Sequence, residues 1–203
     1  QPDLDALDAA CAGARVLLIN SPNNPTGAIY SDATLEGVAE ICRRHDLWLI
    51  SDEVYDGMAW DQPHRSPRAL PGMAERTVVI GSLSKSHGMT GSRIGWTLAP
   101  EEISALIATY ALNATYGIPG FIQDAGLWSL REGAEIEADL AATFHRRRDI
   151  ALRALAGRQA VRLSPPQGAM YVMVDVRATG LSGRDFADRL LDEAHIAVMP
   201  GES

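Results

Sequence analysis

Apolar stretches of strand length alternate along the chain with stretches whose apolar positions recur about every three to four residues. This pattern predicts a mostly parallel sheet joined by crossover helices. The first strand is predicted over residues 15–19 (R-V-L-L-I), and it stops at N-S-P-N-N-P-T-G, residues 20–27, whose Pro and Gly continue neither a strand nor a helix. From Ser31, the residues Leu35, Val38, Ala39 and Cys42 fall on one face of a helix, with Asp32 and Glu36 near its positive end. The short apolar runs 47–50 (L-W-L-I) and 77–80 (T-V-V-I) read as strands buried on both faces, ending in S-D-E and G-S. A further strand is predicted over 94–98, and helices over 101–110 and 122–131. A long polar helix from about 134 to 156 leads to P-P-Q-G, an alternating strand over 170–176 and an amphipathic helix around 185–193. That tail reads as a separate, smaller α+β unit. The expected fold class is therefore α/β, a mostly parallel sheet with flanking helices, followed by a smaller α+β C-terminal domain.

Composition narrows the function classes. The 203 residues are 46% hydrophobic and 22% charged, enough for one large domain or two small ones. A formal net charge of −8 argues against nucleic acid and anionic membrane surfaces as partners, because those need clustered Lys and Arg. The two cysteines, Cys11 and Cys42, have neither a close-pair nor a metal-ligand spacing and read as reduced, semi-buried thiols of a cytoplasmic protein. No run is long enough to span a bilayer, and no signal pattern opens the chain. The start at Gln1 and the end in P-G-E-S suggest a piece of a longer protein.

In open α/β sheets, ligands bind beyond the carboxyl ends of the strands. The predicted strand ends deliver Asn20 to Asn24, then Asp52 and Tyr55, then Ser82, Ser84 and Lys85, with Arg93 just after. A carboxylate directly after a buried strand is costly without a cation, so Asp52 needs a partner; a turn-capping role or a local Arg would also serve. The segment G-S-L-S-K-S is not a P-loop, because Ser84 stands where a glycine must precede the lysine. No G-x-G-x-x-G follows a strand, which argues against a nicotinamide site. His45, His64, His87, His145 and His195 show no metal-ligand spacing and read as surface or packing residues. The run 145–149 (H-R-R-R-D) reads as a solvated, ion-paired helix face, and Trp48, Trp60, Trp96 and Trp128 as packing, with the role of Trp60 open.

The motifs N-S-P-N-N-P-T-G, S-D-E-V-Y and S-L-S-K-S-x-G-M-T-G-S-R-I-G-W, in this order, resemble the class I/II aminotransferases, pyridoxal-phosphate enzymes of fold type I. The likeness continues through P-P-Q-G-A-M-Y-V-M-V-D and so covers nearly the whole chain. It implies that residues 1–133 are part of the large cofactor-binding domain, and that 134–203 are a linking helix and part of the small domain. It implies a Schiff base between Lys85 and pyridoxal 5′-phosphate, with Lys85 then moving the proton at the substrate α-carbon. Asp52 would keep the pyridine nitrogen protonated, and Asn24 and Tyr55 would hydrogen-bond the ring's phenolic oxygen. Ser82 and Arg93 would hold the phosphate, with Ser84 as an added contact. Asn24-Pro25 is a candidate cis peptide.

The same resemblance marks what this chain lacks. The family's glycine-rich phosphate turn, its ring-stacking aromatic residue and a tyrosine from the partner subunit lie amino-terminal to this stretch, and the arginine that clamps the substrate carboxylate lies beyond Ser203. The chain alone is therefore expected to be weakly active or inactive, and the intact protein a homodimer. The leading activity is amino transfer between an amino acid and a 2-oxo acid. The alternatives are a carbon-sulfur lyase or a non-catalytic sensor domain. The stretches M-Y-V-M-V-D-V-R-A-T-G-L-S and F-A-D-R-L-L-D are similar to bacterial arginine:pyruvate transaminases. Aspartate and aromatic substrates stay open.

Overall fold

The structure, a computed structural model, describes residues 1–202. Its elements in chain order are α1 (Leu4–Ala10), β1 (Val16–Asn20), α2 (Asp32–Arg44), β2 (Trp48–Asp52), β3 (Thr77–Ser82) and α3 (Leu83–Ser86). There follow β4 (Gly95–Leu98), α4 (Glu101–Thr115), α5 (Gly120–Glu132), α6 (Ala134–Leu155), β5 (Arg162–Leu163), β6 (Val174–Asp175) and α7 (Gly183–Ala194). The main sheet has the order β1-β2-β3-β4, with the first three strands parallel and β4 antiparallel to β3. Strands β5 and β6 form a separate antiparallel pair.

Helix α2 shows how the sequence builds the packing. The Ser31 hydroxyl caps it by accepting from the Thr34 N–H at 3.2 Å, satisfying a donor that the first turn leaves free. Asp32 in the first turn and Arg43 and Arg44 in the last complement the helix dipole. Leu35, Val38, Ala39 and Cys42 are all buried, and they close the main core with Ile19, Leu47, Leu49, Leu70 and Met73.

The strands depart from expectation in one respect. β2 and β3 were expected to be buried on both faces, yet Leu49 and Ser51 are buried while Trp48 and Ile50 are half-buried, and in β1 Leu18 is 63% exposed. One face of the sheet carries the α2 core, and the other is far more open. The predicted strand over 170–176 shrinks to Val174–Asp175, and the residues before it, 167–169, dock on the loops at 27–29 and 58–60. The run 145–149 is ion-paired but not uniformly solvated. Arg148 is only 12% exposed, pairs with Asp61 at 3.0 Å and Asp149 at 2.9 Å, and lies over the Trp60 ring, which stacks on His145. Trp60 thus anchors α6 to the loop after β2. Among the described residues, no helix is long and apolar enough to cross a membrane.

Both cysteines are free and buried. Burial, with Cys11 nearby as a secondary cause, pushes the Cys42 thiol from its ordinary 9.0 up to about 11. In the unfolded chain this thiol ionises first, so above about pH 9 the unfolded state binds fewer protons and stability falls until the folded thiol ionises near 11. Urea unfolding midpoints should therefore drop between about pH 9 and pH 11, and Cys42→Ala should remove part of that drop.

Candidate active site

Parallel register aligns the carboxyl ends of three strands. Asn20 pairs with Asp52 and Asp52 with Ile80, two residues before Ser82 closes β3. The Asn20 carboxamide locks the first two ends together: its N–H donates to the Asp52 carbonyl at 3.1 Å, and its oxygen accepts from the Asn24 backbone N–H at 2.7 Å. Asn23 ties the next turn by accepting from Thr26 N–H at 3.2 Å and from the Thr26 hydroxyl at 2.7 Å. Both Ser21-Pro22 and Asn24-Pro25 are cis, of which only the second was expected. The Asn24 side chain is exposed, and its carboxamide has no protein partner among the described residues.

Asp52 is half-buried. One carboxylate oxygen accepts from the Val54 N–H at 3.3 Å, and among the described residues the group makes no ion pair. The local Arg that could have explained it is therefore not engaged. The neighbouring Glu53 is satisfied differently, buried between His64 at 2.9 Å and the Ser66 hydroxyl at 2.7 Å. This pairing fixes the loop that carries Tyr55.

Lys85 sits on α3, the short helix that begins where β3 ends. It is the one lysine in the 203 residues, half-buried, and forms no hydrogen bond or ion pair among the described residues. Ser82 caps α3, accepting from the Ser84 N–H at 3.0 Å and donating to the Ile94 carbonyl at 3.2 Å. The Ser84 hydroxyl, 9% exposed, has no partner among the described residues. Arg93 holds a left-handed backbone (φ 52°), is exposed, and donates to the Thr90 carbonyl at 3.1 Å. Ser82 and Ser84 thus lie at the end of β3 beside Lys85, and Arg93 stands at the entry to β4.

Tyr55 is 3% exposed and meets a residue that sequence reasoning did not single out. Its hydroxyl lies 2.6 Å from that of Tyr171, and the two rings pack edge to face at 5.7 Å. Burial first, then the Tyr171 hydrogen bond and the Asp52 charge, hold the Tyr55 phenol well above its ordinary range, so it keeps its proton at neutral pH. The signal for Tyr171 was its place in the apolar G-A-M-Y run, where a partly buried tyrosine hydroxyl seeks a partner.

Gly27 closes the site from behind. It has φ +66°, and its carbonyl accepts from the N–H groups of Gln167 and Gly168 at 2.8 and 2.9 Å. A Cβ there would overlap Pro166 and come within 2.8 Å of the Gly168 oxygen. Gly27→Ala should cost about 2–4 kcal/mol from left-handed backbone strain and overpacking, read as a lower urea midpoint.

A half-buried amine, a half-buried carboxylate and a buried phenol thus lie at or just beyond adjoining strand ends of an α/β protein. The chain belongs to the family of class I and II aminotransferases, whose model matches residues 1–203. It is 48% identical over 190 residues to the arginine–pyruvate transaminase AruH of Pseudomonas aeruginosa, covering 93% of this chain and 48% of that protein. It is 36% identical over 197 residues to an aspartate aminotransferase of Musicola paradisiaca, covering 95% of this chain and 49% of that one. The crystal structure of an aromatic aminotransferase from Pyrococcus horikoshii superposes with TM-score 0.94 at 34% identity, over 99% of this chain and 55% of that one. The chain spans about half the length of the curated relatives it matches.

Proposed function

We propose that the protein is a pyridoxal-phosphate-dependent aminotransferase that moves an amino group between an amino acid and a 2-oxo acid, with Lys85 holding the cofactor. The observation that carries this reading is the pairing of unmet needs at adjoining strand ends. Lys85 offers an amine and Asp52 a carboxylate, neither ion-paired among the described residues. Pyridoxal phosphate fits both, since its aldehyde suits the amine and its ring nitrogen suits the carboxylate. When bound, it supplies an electron sink for charge developing at the substrate α-carbon.

The chain's own residues do the rest. Asp52 accepts from the ring N–H and keeps that nitrogen charged. Lys85 takes and returns the proton at the substrate α-carbon, a task for which an amine without an ion-pair partner among the described residues is suited. Tyr55 and Asn24 donate toward the ring's phenolic oxygen. Ser84, Ser82 and Arg93 supply the donors for the phosphate, Ser84 with its hydroxyl otherwise unpartnered.

Residues 1–133 are read as part of the cofactor-binding domain and 134–203 as a linking helix with part of the small domain. The intact protein is read as a cytoplasmic homodimer, on the family resemblance and on two free, buried thiols. Arginine as amino donor and pyruvate as acceptor are supported by the 48% identity to the Pseudomonas transaminase. The relatives carry transaminase names, which gives no support to a carbon-sulfur lyase or a sensor module. The test is alanine formation by the cofactor-loaded intact protein from arginine and pyruvate, with aspartate and aromatic donors in parallel. Alanine formed fastest from arginine supports the full reading; no transfer from any donor overturns the activity.

A further inference from the structure

The Tyr55–Tyr171 contact joins residues 116 positions apart at an oxygen–oxygen distance of 2.6 Å. A phenol has one proton to donate and can accept as well. When two phenols share a hydrogen bond, one proton is spent between the oxygens and one is left for a third group. The direction of the shared bond then decides what Tyr55 offers. If Tyr55 donates to Tyr171, Tyr55 presents only lone pairs elsewhere. If Tyr171 donates to Tyr55, the Tyr55 proton is free to be given to an acceptor.

Tyr171 is placed by backbone hydrogen bonds to the two loops that carry Asn24 and Tyr55. Gln167 and Gly168 donate to the Gly27 carbonyl, and Ala169 donates to the Met58 carbonyl at 2.9 Å. The Gln167 side-chain oxygen accepts from the Ile29 N–H at 3.1 Å, and its carbonyl accepts from the Trp60 N–H at 2.9 Å. Ala169 is fully buried with φ 62°, a backbone strain that this docking holds in place. The tail segment is therefore fastened to the site, and Tyr171 is its contribution.

We propose that Tyr171 is a positioning residue: by donating its hydroxyl proton to Tyr55 it leaves the Tyr55 proton free for the cofactor's phenolic oxygen, and so links the 167–171 segment to cofactor binding. This rests on the function proposed above.

The test is a double-mutant cycle on the intact protein with Tyr55→Phe, Tyr171→Phe and the pair, read by pyridoxal-phosphate affinity and by the pH midpoint of the bound cofactor's visible band. Tyr171→Phe removes one oxygen and keeps the ring packing. It should weaken cofactor binding about three- to tenfold, the loss of one hydrogen bond, and move the midpoint in the same direction as Tyr55→Phe but less far. Both effects should vanish in the Tyr55→Phe background. If Tyr55→Phe shifts the readouts while Tyr171→Phe does not, or shifts them equally in both backgrounds, the positioning role is wrong and the proposed function stands. If the unaltered protein binds no cofactor, or Tyr55→Phe changes nothing, the proposed function of the site fails at Tyr55 and the positioning role fails with it.

Discussion

Lys85→Ala is expected to lower amine transfer by at least about 10²–10⁴-fold, the contribution of one positioned acid–base group, with loss of the cofactor's attachment in addition. Stability should barely move. Lys85 is half-buried and makes no hydrogen bond or ion pair among the described residues, so its removal breaks no polar contact, and alanine favours the helix it would occupy. The unfolding temperature should stay within about 2 °C of the parent value. Initial rates and thermal unfolding of the same preparation check both halves. A large rate loss with an unchanged unfolding temperature separates chemistry from folding.

Asp52→Ala is expected to have the second largest effect. The carboxylate has one backbone donor, the Val54 N–H, and no cation among the described residues, so its electrostatic stabilisation goes to what it meets in the site. Removing one partner of a desolvated ion pair costs about 3–5 kcal/mol, which is about 10²–10⁴-fold in rate or affinity. Unlike Lys85→Ala, this change should weaken noncovalent cofactor binding and also slow turnover in protein saturated with cofactor. The measurements are a pyridoxal-phosphate titration and kcat at saturating cofactor. Asp52→Asn should recover part of the binding, because it keeps a hydrogen-bonding group, and little of kcat, because it cannot hold the ring nitrogen charged.

Much of this site was legible because its positions follow from local rules. The i, i+3, i+4, i+7 face from Leu35 to Cys42 is buried as the spacing requires, and each apolar run that ends in a polar cluster became a strand whose end lies at the site. Those rules place Asp52 and Lys85 at strand ends without knowledge of the rest of the chain. What escaped depends on distant partners. The Tyr171 hydroxyl is defined by Tyr55, 116 positions earlier, and nothing in G-A-M-Y names that partner. Arg148 lies in a charged helical run that reads as solvated, and it is covered because Trp60 and Asp61 reach it from another element. The second face of β2 reads as apolar, but an apolar run does not say which face its own chain covers. The Ser21-Pro22 cis bond was equally hidden, since an Xaa-Pro bond permits cis and does not require it.

The central claim is that Lys85 holds the cofactor, and it can be measured directly because Lys85 is the one lysine in these 203 residues. The protein is mixed with pyridoxal phosphate, reduced with borohydride, digested and mapped by mass spectrometry. The account predicts a reduced pyridoxyl group on the peptide carrying Lys85, and none on the matching peptide of Lys85→Ala. Label confined to other peptides, or no label at all on folded protein, would contradict it.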